Sequence, residues 1–233
     1  MRLNHIHPDG ASTRITYGVL NLSHRQSASA PRAMTPGTME DISFTLDHTG
    51  YRVPKGHRLR ISVSDAYWPM VWPSPNKTAL TLCAGRIDLP QRPTPGGHEH
   101  LFEPPTSADS WNIEMLRPEN HLRRQEIDRV TGHVDLIIED DFGLVRDCEL
   151  DLVNGSIARE RWRIHPDDPN SATGTCHWTD ELQRDGIHLR TETHSQMTCD
   201  STHFHLTARV EAYEGNTLIY ERDIKETIAR DLM

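Results

Sequence analysis

Ile42, Phe44 and Leu46 fall on alternate positions, with Ser43 and Thr45 between them. Successive side chains of a strand point to opposite faces, so this pattern predicts a half-buried strand. Leu59, Ile61 and Val63 repeat it against Arg58, Arg60, Ser62 and Ser64, and Leu80 with Leu82, then Ile87 with Leu89, continue it. Turn chemistry separates these pieces at Pro36-Gly37, Asp47 to Gly50, Pro54 to Gly56, and Pro73 to Asn76. Short strands at this spacing predict a β-sandwich. Between Pro90 and Ser110 prolines recur at 90, 93, 95, 104 and 105, beside Gly96-Gly97. Proline removes ladder donors, so this stretch is a linker or covering loop. The domain boundary is placed near Thr106 to Trp111, giving units 1–106 and 107–233.

The second unit is predicted as a run of hairpins. Asp140-Asp141-Phe142-Gly143 separates His133–Ile138 from Leu144–Val153, and Asn154-Gly155, a strong two-residue hairpin signal, joins Leu144–Val153 to Ile157–Ile164. Asp185-Gly186 and Glu214-Gly215-Asn216 mark two further turns. The cleanest strand is Thr202–Tyr213, with Phe204, Leu206, Ala208, Val210 and Ala212 inward. An antiparallel meander with one wet face is the natural result. No long amphipathic helix and no repeat of solenoid period stands out.

Composition narrows the function classes. The chain has 233 residues, 35% of them hydrophobic, and no apolar run approaches the ~18 residues of a membrane span. No secretory h-region follows Met1. The net charge of -9, with no basic stripe, points away from nucleic acid as a partner. Cys83, Cys148, Cys176 and Cys199 are far apart and show no Cys-x-x-Cys spacing, which reads as reduced thiols in a cytoplasmic protein.

No Gly-x-Ser-x-Gly pentapeptide occurs, so the strained elbow of an α/β-hydrolase nucleophile is missing and no catalytic residue is assigned. His98-Glu99-His100 with Glu103 faintly resembles a cupin metal motif. The Glu comes too early and the residues sit between prolines, so a surface loop is the better reading. His203 and His205 share a strand face without a nameable third ligand and are read as outward polar residues. His165-Pro166-Asp167-Asp168-Pro169 lacks the spaced oxygens of a calcium loop and is read as a turn. No metal and no cofactor are assigned. The run Tyr67-Trp68-Pro69-Met70-Val71-Trp72-Pro73 differs from these, because its rings cannot all enter one core. Each such ring covers about 150–250 Å² and keeps a polar handle, which suits an interface. Packing at the sandwich edge and stacking on a sugar stay open beside that reading.

An ordered series of short motifs resembles the C-terminal β domain of the cocaine esterase / X-Pro dipeptidyl-peptidase (CocE/NonD) family of α/β-hydrolase serine enzymes. It runs through Arg2-Leu3, His7-Pro8-Asp9-Gly10, Gly18-Val19-Leu20-Asn21 with Arg25, and Pro36-Gly37. It continues in Pro54-Lys55-Gly56-His57-Arg58-Leu59-Arg60-Ile61 and in the loop from Trp68-Pro69 to Pro75-Asn76. The remaining half more loosely resembles the extra C-terminal β region of a longer subgroup, through Asp167-Asp168-Pro169, Thr202-His203-Phe204, Glu211-Ala212-Tyr213 and Arg230. The resemblance implies an all-β fold: a galactose-binding-like jelly-roll sandwich followed by a second antiparallel β-sheet domain.

In that family a Ser-Asp-His triad in a preceding α/β-hydrolase domain cleaves esters or amides, including X-Pro dipeptides, and the β domain helps wall the pocket. The resemblance therefore implies an absent catalytic domain as partner, with Tyr67, Trp68 and Trp72 at a substrate pocket or domain interface. It implies no activity for this chain alone, and Trp68→Ala is expected to harm docking more than folding. Because the catalytic domain and first jelly-roll strand do not precede Arg2, a fragment, a mis-assigned start or a split gene is expected. The competing expectations are a stand-alone carbohydrate- or protein-binding module and, more distantly, a cupin-type metalloenzyme. A homo-oligomer stays open.

Overall fold

The computed structural model describes residues 1–77, 79–91 and 102–232. Among them every regular element is a strand except one 3-10 turn, Leu22–His24, capped by the Asn21 side chain. Among the described residues no helix is long and apolar enough to cross a membrane. The all-β class implied by the alternation is the one observed.

The first sheet holds β1 (Arg2–Ile6), β2 (Ser12–Tyr17) and β3 (Arg58–Ser62) in the order β2-β1-β3, all antiparallel. β1 turns into β2 at the Pro8-Asp9-Gly10 corner. There Gly10 takes φ +91°, its N–H donates to His7 O at 3.0 Å, and Asp9 Oδ1 accepts from Ala11 N at 3.0 Å. Central β1 buries Leu3 and Ile6.

Ile42–Leu46, Leu80–Leu82 and Ile87–Leu89, expected as strands, are not strands, and the Gly18–Asn21 motif is not one either. Alternation selects a face but cannot supply the neighbour whose N–H and C=O complete a ladder. Asp47 N donates to Tyr17 O at 3.0 Å at the end of the Ile42–Leu46 segment, and Phe44 and Leu46 press on Gly18, where an added Cβ would meet Leu46 Cδ2 at 3.0 Å. Arg25 fixes the following loop through a two-toothed pair with Glu40 and bonds to the carbonyls of Leu22 and Arg32.

The second sheet has eight strands on its main path or beside it: β4 (Ile113–Arg117), β5 (Asn120–Ile127), β6 (Val134–Asp147), β7 (Leu152–His165), β8 (Asp168–Arg184), β9 (Ile187–Cys199), β10 (His203–Glu214) and β11 (Thr217–Ala229). Its order is β11-β10-β9-β8-β7-β6-β4, with β5 also on β6, and every pairing is antiparallel. The expected turns at Asp185-Gly186, with φ +51° and +79°, and at Glu214–Asn216 are present.

Two expected turns are not turns. Asp140–Gly143 lies within β6, where the register with β7 shifts between Asp141 and Leu144. This is a β-bulge, with Gly143 at φ +84° and its N–H on Asp141 Oδ1 at 2.9 Å. The bulge divides β6, so that Val134–Asp141 pairs β5 while Leu144–Asp147 pairs β4. Asn154-Gly155 lies inside β7, and the actual reversal is at residues 148–151. Gly155 is needed for closeness instead: an added Cβ would stand 2.7 Å from Gly143 O across the bulge.

The two faces of this sheet differ. Leu136, Trp162, Gly174, Met197 and Leu206 oppose one another along one row, on the apolar face. The other face carries the row Glu139, Arg159, His177, His194, Arg209 and Asp223.

Candidate functional site

Gly56, at φ +88°, lies in the turn that leads into β3, and the chain leaves β3 for the aromatic-proline loop. Val71 N donates to Tyr67 O at 2.9 Å, folding the loop on itself, and the Trp68–Pro69 peptide bond is cis. The loop sends its rings in two directions. Tyr67 turns to the first sheet: Arg14 donates to its hydroxyl at 2.8 Å, the Arg2 guanidinium lies 5.6 Å from its ring, and the Tyr17 ring meets it edge-on at 6.0 Å.

Trp68 and Trp72 turn to the apolar face of the second sheet. They meet each other edge-on at 5.1 Å, Trp68 meets Trp162 at 5.9 Å, and Trp72 meets Phe204 at 6.0 Å. Gly174 leaves room for the Trp162 ring, since a Cβ there would sit 2.6 Å from it. Trp72 Nε1 donates to Cys199 Sγ at 3.1 Å. Edge-to-face contacts of this kind use the positive ring edge against the negative ring face.

Arg230, only 5% exposed, closes the arrangement. It donates to Pro73 O, to Asp200 O at 3.0 Å and to Asn170 Oδ1 at 3.3 Å, and lies 4.7 Å over the Phe204 ring. Asn170 Nδ2 in turn donates to Pro75 O at 3.1 Å, and Lys77 pairs with Asp167. A second tie joins Asn21 and Ser23 to Leu232 O at 3.0 and 2.8 Å. The sequence singled out the rings but not the receptor, because Trp162, Cys199, Asn170 and Arg230 are scattered along the chain.

The sequence's other candidates occupy simpler positions. His98, Glu99 and His100 lie outside the described residues, and Glu103 is exposed. His203 and His205 stack loosely at 6.3 Å, with His205 Nε2 on Asp200 Oδ2 at 2.8 Å. The backbone N–H of Thr202, the His205 ring, the Thr202 hydroxyl and the N–H of His203 hold the Asp200 carboxyl well below the usual range. Asp167 and Asp168 flank the β7–β8 reversal. All four cysteines are unpaired. Burial first, and then the Glu160 charge, raises the Cys176 thiol, which opposes a nucleophilic role.

Two histidine groups escaped the sequence reading. On the polar face His177 and His194 stack at 4.0 Å, beside Glu192, over a shallow trough of about 690 Å³. The Glu192 carboxylate is already engaged by His177 at 2.6 Å, Thr179 at 2.8 Å and Arg190. Burial is the strongest single influence on Glu192 and raises it, but these three bonds and the Arg190 charge together outweigh it, leaving the group lowered. At the first sheet His5, His7 and His57 converge, with His5 only 3% exposed.

Residues 1–108 match the family model of the X-Pro dipeptidyl-peptidase C-terminal non-catalytic domain. That segment belongs to this domain family. A search of curated proteins and a search of solved structures both find no match. The X-Pro dipeptidyl-peptidase C-terminal domain thus ends, as matched, before the first strand of the eight-stranded sheet at Ile113. The aromatic-proline loop lies inside the matched span, and the side chains that receive Trp68 and Trp72 lie beyond it.

Proposed function

We propose that this chain is the non-catalytic β portion of a serine hydrolase of the ester/amide or X-Pro dipeptidyl-peptidase type. It packs on an α/β-hydrolase catalytic domain and helps wall that domain's active site. The observation that carries this reading is β3. Its apolar positions Leu59 and Ile61, and Val63 just past its end, are 42%, 43% and 48% exposed. Leu80, Leu82, Ile87 and Leu89 are exposed beside them in sequence. Apolar positions laid out at strand period and left in water mark a surface made to be covered. The family match, a non-catalytic domain of a peptidase, supports a catalytic domain as the cover.

On this reading the matched segment is a galactose-binding-like jelly-roll completed by its partner. The domain division falls at 106/107. Trp68 and Trp72 form the interface between the two β units, and Tyr67 belongs to the first. The unpaired thiols support a reducing, cytoplasmic setting.

The test is co-expression of the chain with an α/β-hydrolase catalytic domain of X-Pro dipeptidyl-peptidase type, followed by size-exclusion chromatography and turnover of a chromogenic X-Pro substrate. A stable complex with higher turnover than the catalytic domain alone is expected, lost in a Leu59→Asp/Ile61→Asp variant, and the chain alone is expected to be inactive. Failure to associate, with retention on a carbohydrate array, would favour the stand-alone binding module. Serine-inhibitor-sensitive turnover by the chain alone would remove the non-catalytic reading.

A further inference from the structure

We propose that His5, His7 and His57 form a binding site for a divalent transition-metal cation of the zinc type. This inference stands apart from the proposed function and uses none of the residues invoked there. His5 and His7 are two apart at the end of β1, so their side chains leave the same face. β3 runs antiparallel to β1, and its last pair is Ile6 with Arg58. Continuing that ladder by one step sets His57 opposite His7, on the face that His5 and His7 share. Strand register alone therefore brings the three rings together.

The side chains complete the picture. The ring centroids of His5 and His7 are 4.0 Å apart, those of His5 and His57 4.7 Å, and those of His7 and His57 5.4 Å. One nitrogen of each ring lies within 4.8 Å of the others. His5 is held from behind: its Nδ1 shares a hydrogen bond with Tyr51 Oη at 2.8 Å, which directs Nε2 toward His57 Nδ1 at 2.5 Å. Thr13 Oγ1 lies 3.0 Å from His7 Nε2. Bonding one ring nitrogen so that the other faces inward is the support a metal-ligating histidine needs.

Three imidazoles gathered at the end of a strand pair, His5 on β1 with His7 and His57 just beyond β1 and β3, match the open coordination of zinc, with a fourth position left for water or another ligand. Tetrahedral Zn–N bonds of about 2.0–2.1 Å require nitrogens roughly 3.3 Å apart, so His5 and His57 separate by less than an ångström to admit the ion. The site is empty of any ion, and His5 Nε2 and His57 Nδ1 stand in hydrogen-bond contact. The competing cluster, His177, Glu192 and His194, is less suited, because Arg190 and Thr179 already occupy its carboxylate.

The test is titration of the 233-residue chain with Zn²⁺ by calorimetry and with Co²⁺ by visible absorption. One equivalent is expected to bind, with the intense bands of tetrahedral Co²⁺ and a rise in Tm reversed by a chelator. His7→Ala and His57→Ala, checked for folding by circular dichroism, should each weaken binding beyond the ~10–100-fold typical of a lost supporting partner, and Tyr51→Phe should fall within that range. His194→Ala should bind as the unsubstituted chain does. No binding and no Tm rise in the unsubstituted chain, binding that survives both His7→Ala and His57→Ala, or binding lost in His194→Ala would each overturn the assignment.

Discussion

The guanidinium of Arg230 donates to the carbonyl oxygen of Pro73, 157 residues earlier in the chain. The same group reaches Asp200 O and Asn170 Oδ1 and covers the Phe204 ring. One buried cation thus supplies donors to carbonyls that the aromatic-proline loop and the β9–β10 turn leave without ladder partners.

Arg230→Ala removes all of these donors and strands the acceptors, so a loss of about 2–3 kcal/mol is expected in urea unfolding. Arg230→Lys keeps the charge but not the fork, and should fall between the two. Equal stability of the alanine variant and the unsubstituted chain would show that the loop docks without it.

Trp68→Ala and Trp72→Ala should each cost about 3 kcal/mol, the low end for truncating a packed aromatic, because both rings are half-buried. Tyr67→Phe removes one hydrogen bond, from Arg14, and should cost about 1 kcal/mol or less. Thermal melts of the three variants test this order. The sequence leads to the expectation that Trp68 serves docking, and the ring also meets Trp162 within the chain, so its truncation is expected to lower the chain's own stability as well. A Trp68→Ala melt indistinguishable from the unsubstituted chain would return it to the first role.

Gly143→Ala sets a Cβ 2.7 Å from Arg117 O in a left-handed conformation, and Gly155→Ala sets one 2.7 Å from Gly143 O. Each should destabilise by about 1–3 kcal/mol. Because both act on one bulge, the double variant should cost less than the sum, which a double-mutant cycle of urea midpoints measures. Full additivity would mean that the two glycines answer to separate constraints.

Acid should weaken the second sheet through its paired carboxylates. Asp135, held down chiefly by hydrogen bonds from Arg161, together with Asp200 and Glu192, titrates below the ordinary carboxyl range when folded. A lowered folded pKa contributes stability that is fully present above the unfolded value of about 4 and is lost as pH falls through the folded value. The contribution of these carboxylates to urea midpoints should therefore be lost below pH ~4. Asp135→Asn and Asp200→Asn should each shrink that loss. An unchanged acid slope in both variants would assign acid sensitivity to other groups.

What was legible in the sequence divides along a physical line. The Thr202–Tyr213 alternation and the Asp185-Gly186 turn were readable because each depends on neighbours in the chain, and both are present. Asn154-Gly155 misled because glycine serves both a turn and a close approach, and only the strand opposite tells them apart. Ile42–Leu46 misled because a strand needs a partner that local pattern does not contain. The rings of Trp68 and Trp72 were identifiable, but their receptor is assembled from β7, β8, β9, β10 and the residue after β11. His-x-His at 5 and 7, with His57 just before the paired β3, was a signal that strand register alone could have exposed.

β11 ends the eight-stranded sheet with one flank unpaired, and every residue from Thr217 to Ala229 is exposed. Its middle reads Glu221-Arg222-Asp223-Ile224-Lys225-Glu226, charges of both signs interrupted by one isoleucine. A strand from a second molecule would have to seat its own side chains against that mixed row while giving up their hydration. The border is thus uneven: its charged middle resists addition of another strand, while exposed Leu218, Ile219 and Tyr220 at its start offer no such resistance.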